Sequence, residues 1–380
     1  MTSVLSEYNS ERMIALVKAA LHGTTPDNNL FVNITEADWN EIFENSVKQG
    51  VRVLSLEGLV RLPKELQPPL ALKLRWIAGA EAIDKRYRHC LETAKKLSAY
   101  FKENNIKMLI FKGLALSRLY PVANGREFGD MDVFFCGKTK EGDELLSKIS
   151  NGKSRFSKKD TKHSYRGITI ENHHTFLYHS GYKNFLHSRD LEKQLMNLLK
   201  EAGMLDDTPL AASETVNETL LFPPPDFDAI FVMLHMLSHF PKGIALRHLC
   251  DLTVLFAAHK GKIDFLLYQE ALSKAGLLKL GDSFISLLVK YLGLSPEDAP
   301  PYKPDEDLEN RLWNDLLYPA VAPLPKEKRT FLTVFIHKIR LLQSIYWRFK
   351  LVPPGRYWTY IFRSIYFHIS HPQTIGKLKK

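Results

Sequence analysis

Two short apolar runs, Ile106–Phe111 and Met131–Cys136, bracket a helix-compatible segment that begins Lys112-Gly113-Leu114. This order of strand, turn, helix and strand restricts the chain more than any other feature. Both runs are rich in β-branched, long aliphatic and aromatic side chains, the composition of short buried strands. The second opens with Gly129-Asp130-Met131-Asp132. In a strand, residues i and i+2 leave the same face, so Asp130 and Asp132 are expected to project together, about 6 to 7 Å apart along the chain. Two carboxylates at that spacing can share one or two hard cations. Mg²⁺ keeps several waters and is usually bound through one or two carboxylates plus substrate phosphates, so a sparse acidic pair suits a nucleotide-metal site.

The segment between the strands supplies the other half of a phosphate site. Gly113 lets the backbone approach an anion, and a helix expected over Leu114–Tyr120 would offer free N–H groups and its positive dipole end. Lys112 and Arg126 add positive charge. Alone, an Asp-x-Asp also fits a solvated turn. Here it opens an apolar strand, follows a strand-Lys-Gly-helix element, and has an arginine four residues before it.

A third carboxylate lies in Arg166–His173, which alternates as a strand with Ile168 and Ile170 on one face and Thr169, Glu171 and His173 on the other. Glu171 is the candidate, either as a second cation ligand or as the group that takes a proton from an attacking hydroxyl. A strand with a wet outer face accounts for the same pattern. The adjacent His173-His174 pair suits orienting a carboxylate, or solvation at a strand edge.

Lys112-Gly113, Leu119-Tyr120-Pro121, Arg126, Asp130-Met131-Asp132 and Ile170-Glu171-Asn172-His173 together resemble the polymerase-β-type nucleotidyltransferases. They are most similar to a bacterial branch described only as uncharacterised nucleotidyltransferases. Trp39 with Val47–Leu59, and His235-x-x-x-His239 with Leu246-Arg247-x-x-x-Asp251, resemble the helical flanks of that branch, so the similarity spans about residues 35 to 275. It implies an α+β fold, a small mixed-sheet nucleotidyltransferase core flanked by N-terminal and C-terminal helical regions. It also implies transfer of a nucleotidyl group from a nucleoside triphosphate to an acceptor hydroxyl, with Mg²⁺ as cofactor or Mn²⁺ in its place. Carried over residue by residue, Asp130, Asp132 and Glu171 become the catalytic metal carboxylates. Lys112, Gly113, Leu114, Ser117 and Arg126 fall at the triphosphate, and His239, Arg247 and Asp251 at the nucleotide or acceptor. Relatives point to surface-polysaccharide synthesis, with a sugar, lipid-linked glycan or protein as acceptor. The chain departs from the wider superfamily in two places. Leu114 stands where a small serine or glycine is usual, with Ser117 one helical turn on, and the third acid is glutamate rather than aspartate.

The rest of the chain reads as helices around that core: a helical region over 1–104, the core over 105–205, and a second helical region over 206–380. Thr35-x-x-Asp38 before Trp39 and Ile42 reads as a capping-box start with Asp for the usual Glu or Gln. Helical spacing of apolar residues from Pro68 to about Asn104 predicts one long helix or two stacked ones. A short helix is expected within Gly137–Arg155 and a closing helix over Ser188–Ala202. Pro223-Pro224-Pro225 marks a break before a helical pair, Phe227–Phe240 and Leu246–His259. Met236 stands where His-Glu-x-x-His would need glutamate, which excludes that metalloprotease motif; His235, His239, His248 and Asp251 otherwise have zinc-ligand chemistry. Cys90, Cys136 and Cys250 lie far apart, giving neither a disulfide framework nor a thiolate zinc site. The polar Met1–Ser10 shows no secretory signal, and no stretch of 18 apolar residues predicts a membrane span. A cytoplasmic location is expected, peripheral to the inner face of the membrane.

That peripheral placement comes from charge. Residues 326–380 hold twelve Lys or Arg against the single acid Glu327, a net +11; set against the whole-chain +10, this leaves about −1 for residues 1–325. Eleven aromatics are interleaved there. Basic, aromatic amphipathic helices bind anionic membrane surfaces, and nucleic acid is the less favoured partner. The alternative is a helix that packs Phe331, Phe335, Ile339, Leu342, Ile345 and Phe349 inward while its basic residues face water. Two other functional classes are compatible with the sequence: a nucleotide-binding or membrane-peripheral protein without turnover, and an enzyme adding nucleotides to RNA ends.

Overall fold

The computed structural model describes residues 6–152, 154–157, 159–177, 188–205, 220–318, 321, 331–352 and 361. Four helices come first: α1 (Glu7–His22), α2 (Glu36–Lys48), α3 (Arg52–Leu59) and α4 (Leu70–Glu103). The core follows as β1 (Leu109–Phe111), α5 (Gly113–Ser117), β2 (Asp130–Phe134), α6 (Thr139–Ile149), β3 (Arg155–Phe156), β4 (Asp160–Tyr165), β5 (Ile168–His173) and α7 (Ser188–Glu201). Six helices complete the described chain: α8 (Pro225–His239), α9 (Leu246–Ala258), α10 (Phe265–Lys274), α11 (Leu278–Leu292), α12 (Glu306–Leu317) and α13 (Phe331–Lys350). The architecture is the expected α+β arrangement of a mixed sheet between helical flanks.

The sheet runs β1-β2-β5-β4-β3. The β2–β5 pair is parallel and the others are antiparallel. Alternation decides what each face does. Ile110, Met131, Val133, Ile168 and Ile170 join Cys90, Ala94, Leu97 and Phe101 of α4 and Leu146 of α6 in one apolar cluster. Asp130, Asp132, Glu171 and His173 leave the opposite face. Leu109 and Phe111 belong to the larger second cluster, which runs through the helices and includes Trp39, Trp76, Phe227 and Phe231. α4 takes part in both: Leu72 and Trp76 pack in the helical cluster, and the residues from Cys90 to Phe101 cover the sheet.

Local chemistry sets the element ends. The capping box at Thr35 forms as expected, with Asp38 N–H donating to Thr35 Oγ1 and Thr35 N–H to Asp38 Oδ2. The helix expected over Leu114–Tyr120 is shorter, ending at Ser117. Tyr120 precedes Pro121, whose ring disfavours a helical neighbour, and the tyrosine turns away to bond Asp251. The expected strand end at Cys136 also retreats to Phe134, because Cys136 (φ 39°) and Gly137 (φ 89°) form a turn closed by Lys138 N–H to Phe135 O. The first strand starts at Leu109 rather than Ile106, although Ile106 and Met108 remain buried.

At the other end, the last turns of α13 dock on the helical region. Ile345, Phe349 and Val352 are buried, Trp347 packs edge-on against Phe240, and Arg348 pairs with Asp315. Ile336 and Ile339 are about 40% exposed, so the expected inward stripe is not continuous. The side chains of Phe331 and Phe335, and residues 353–380 apart from Ile361, lie outside the described residues, as does part of the basic segment. Among the described residues no helix is long and apolar enough to cross a membrane.

Candidate active site

Parallel pairing of β2 and β5 puts Asp132 directly beside Glu171 and Asp130 beside Thr169. His173 follows two residues on, and its Nε2–H donates to Asp132 Oδ1 at 2.7 Å. One oxygen or nitrogen of each of Asp132, Glu171 and His173 lies within 4.8 Å of the others. All three residues are buried. Thr169 at the start of the outer face of β5 is exposed, but Glu171 on that face is buried and lines a cavity of about 460 Å³.

Cations pair with both acids. Lys112 Nζ donates to Asp132 Oδ1 at 2.7 Å and lies 3.4 Å from His173 Nε2. Lys162, from the neighbouring strand, bonds Glu171. Burial would push the Asp132 carboxyl up, but the Lys112 ammonium and the His173 hydrogen bond outweigh it and hold the group well below the usual carboxylate range. Burial raises Glu171, and the Asp130 and Asp132 carboxylates add to that against the opposing Lys162 hydrogen bond. Burial and the Lys112 ammonium bring His173 down to about 4 against the pull of Asp132, so its imidazole is neutral at pH 7.

The facing wall comes from α8, α9 and the segment before β2. Val232, His235, Met236 and His239 line it from α8, and Arg247, His248 and Asp251 from α9. Arg126 reaches Asp251 through two bonds, Nε to Oδ1 at 3.1 Å and Nη2 to Oδ2 at 3.0 Å, while Tyr120 donates to Oδ1 at 2.7 Å. This planar, two-pronged pairing fixes the guanidinium at the cavity edge. Arg247 donates to Glu127 O at 3.2 Å, and its buried Nε has no hydrogen-bond partner among the described residues. Burial drives His235 well below the ordinary histidine value and His239 to about 4. Both imidazoles are thus neutral donors and acceptors in a cavity lined also by five Lys or Arg and four Asp or Glu.

The structure brings most of the expected site residues together. Lys112, Gly113, Arg126, Asp130, Asp132, Glu171, His239, Arg247 and Asp251 all line the cavity. Two do not. Leu114 belongs to the apolar cluster under the sheet, and Ser117 is buried with its hydroxyl donating to Leu114 O. The phosphate cradle at a helix start also changes character, since α5 has five residues. Gly113 is small for a packing reason: a Cβ there would meet Phe128 Cβ at 3.1 Å and Arg126 Nη1 at 3.3 Å. Asp251 serves Arg126 and Tyr120, and His248 Nδ1 bonds the Ala245 N–H, so neither completes a zinc set with His235 and His239. Sequence reasoning missed Lys159 and Lys162, which add two cations from the β4 side. His174 does not share the role of its neighbour. It faces away, with its imidazole on Thr161 and Asp143 beneath the sheet.

The donor set fits a divalent cation. Two carboxylates and a neutral imidazole converge. If His173 Nε2 gave up its proton to ligate a cation, the proton on Nδ1 would face Thr175 O at 3.4 Å, the kind of partner that fixes a ligand's tautomer. Residues 35–293 match the family described as "Uncharacterised nucleotidyltransferase". No curated protein and no solved structure matches the chain.

Proposed function

The chain belongs to the uncharacterised nucleotidyltransferase family, and from that premise we propose that it moves a nucleotidyl group from a nucleoside triphosphate to an acceptor hydroxyl. The observation that carries this reading is the side-by-side register of Asp132 and Glu171, in one cavity with Lys112, Arg126, Lys159, Lys162 and Arg247. Asp132, Glu171 and His173, with Asp130 at the edge, would hold Mg²⁺ or Mn²⁺. When bound, such a cation screens the charge of the phosphates and of the departing pyrophosphate.

The chain's own groups do the rest. Arg126, fixed by Asp251, and Arg247, which lines the same cavity, offer guanidinium donors to phosphate oxygens. Glu171 is also the carboxylate placed to act as the base. It accepts the hydroxyl proton as the acceptor oxygen bonds the α-phosphorus and the bond to pyrophosphate breaks. His235 and His239, neutral and across the cavity, suit hydrogen bonding to an acceptor or nucleobase. In this reading the acceptor hydroxyl belongs to a sugar, a lipid-linked glycan or a protein.

The test is transfer of label from α-labelled ATP, GTP, CTP or UTP into an acceptor pool from cell lysate, with Mg²⁺ present. The wild type labels an acceptor and Asp132→Asn, checked as folded by circular dichroism, does not; equal labelling by the variant rejects the mechanism. A second reading, nucleotide binding without turnover, draws on the ion pairs that already neutralise Asp132 and Glu171. Triphosphate binding with no labelling by any donor would favour it.

A further inference from the structure

Lys112 adopts φ 55° and ψ −126°, a backbone region that costs little only for glycine. Yet the glycine is at the next position, and the strained residue is a lysine whose side chain is 11% exposed. Its ammonium is held from several sides. It bonds Asp132 Oδ1 at 2.7 Å, lies 3.4 Å from His173 Nε2, and sits 5.2 Å and 5.7 Å from the Phe111 and Phe231 ring centres. His173 Nε2 lies 2.7 Å from Asp132 Oδ1 and 4.0 Å from Glu171 Oε2, so a divalent cation bound among these three residues would compete with the lysine for the same polar atoms. The imidazole nitrogen has one lone pair or one hydrogen to offer, so Nε2 cannot bond Asp132 and ligate a metal at the same time.

We propose that Lys112 is a displaceable counter-cation. It holds Asp132 in place, with Asp132 in turn holding the His173 Nε2–H, until a divalent cation takes those atoms, and the displaced ammonium then serves phosphate in the same cavity. The inference rests on reading Asp132, Glu171 and His173 as cation ligands. Its consequence is linkage: cation and triphosphate each bind better with the other present, by the same factor, because the triphosphate supplies a partner for the lysine that the cation expels.

The experiment is a Mn²⁺ titration followed by electron paramagnetic resonance, first without nucleotide. It compares the wild type, Lys112→Gly, Lys112→Met and Lys159→Met. Lys112→Gly suits the left-handed backbone, so it removes the ammonium without adding strain. Lys159→Met removes a cavity charge that has no ion pair with Asp132 or Glu171. Both Lys112 variants are expected to bind Mn²⁺ about tenfold tighter than the wild type, and Lys159→Met less than about threefold tighter. Wild-type affinity in the Lys112 variants overturns the proposal. So does equal tightening by Lys159→Met, which would reduce the effect to net charge. Adding ATP, GTP, CTP or UTP separates this inference from the functional reading: Mn²⁺ tightening in the Lys112 variants, with no triphosphate bound by any protein, keeps the counter-cation but rejects both its service to phosphate and nucleotidyl transfer.

Discussion

Asp228 shows how much a single buried carboxyl can impose. It lies in the first turn of α8, fully buried, with neither oxygen hydrogen-bonded among the described residues and Arg118 Nη2 4.0 Å away. Burial pushes it up to about 7 from 3.8, against Arg118. The folded protein therefore keeps this proton between pH 3.8 and about 7, where the unfolded chain has lost it. The sign follows: stability present below about pH 3.8 is lost as pH rises toward 7. Asp228→Asn has no proton to lose, so it is expected to match the wild type near pH 4 and exceed it at pH 8 by up to about 4 kcal/mol. Urea denaturation at the two pH values checks this, and equal stability at pH 8 contradicts it. At this scale Asp130, Asp132 and Glu171 were legible in the sequence, because period-two alternation and their place on apolar strands fix which way they point. Lys159 and Lys162 were not. β4 reads Asp-Thr-Lys-His-Ser-Tyr, with no apolar alternation, since His163 and Thr161 bond Asp143 on one side while Lys162 faces the cavity on the other.

Helices carried clear signals where packing agrees with periodicity. The long helix α4, the pair α8 and α9, and the capped start of α2 all follow from spacing and caps. The helix after Gly113 did not, because Tyr120 is drawn to Asp251, a residue 131 positions away that no local pattern reveals. Helix crossing is equally invisible locally. α1 and α3 cross at Gly58, where a Cβ would fall 2.1 Å from Leu16 O. Backbone cannot yield as a flexible side chain can, so Gly58→Ala must separate the two helices. Overpacking of this kind costs about 1 to 3 kcal/mol. A thermal melt of Gly58→Ala is expected to show that loss while Mn²⁺ affinity of the folded protein stays near wild type; an unchanged melting temperature would contradict the crossing.

The whole molecule divides its labour between a sheet that carries carboxylates and helices that close the cavity over them. α4 joins the two, with one end in the helical cluster and the other beneath the sheet. Charge is distributed on a different plan. α13 holds Lys338, Arg340, Arg348 and Lys350 with no acid, and Ile336, Ile339 and Tyr346 are exposed on it. A basic helix with exposed apolar side chains is expected to bind anionic vesicles with an affinity that falls as salt rises. Co-sedimentation with phosphatidylglycerol vesicles tests this: Ile336→Glu/Ile339→Glu should release the protein, and retention of the double variant would assign those side chains another role. The central claim concerns the cavity, and calorimetric titration of ATP, GTP, CTP and UTP into the wild type and Asp130→Asn/Asp132→Asn, with and without Mg²⁺, tests it most directly. The account predicts that one triphosphate binds the wild type in a metal-dependent manner and binds the variant weakly or not at all. Failure of every triphosphate to bind a well-folded wild type, or binding indifferent to metal and to the two carboxylates, would contradict it.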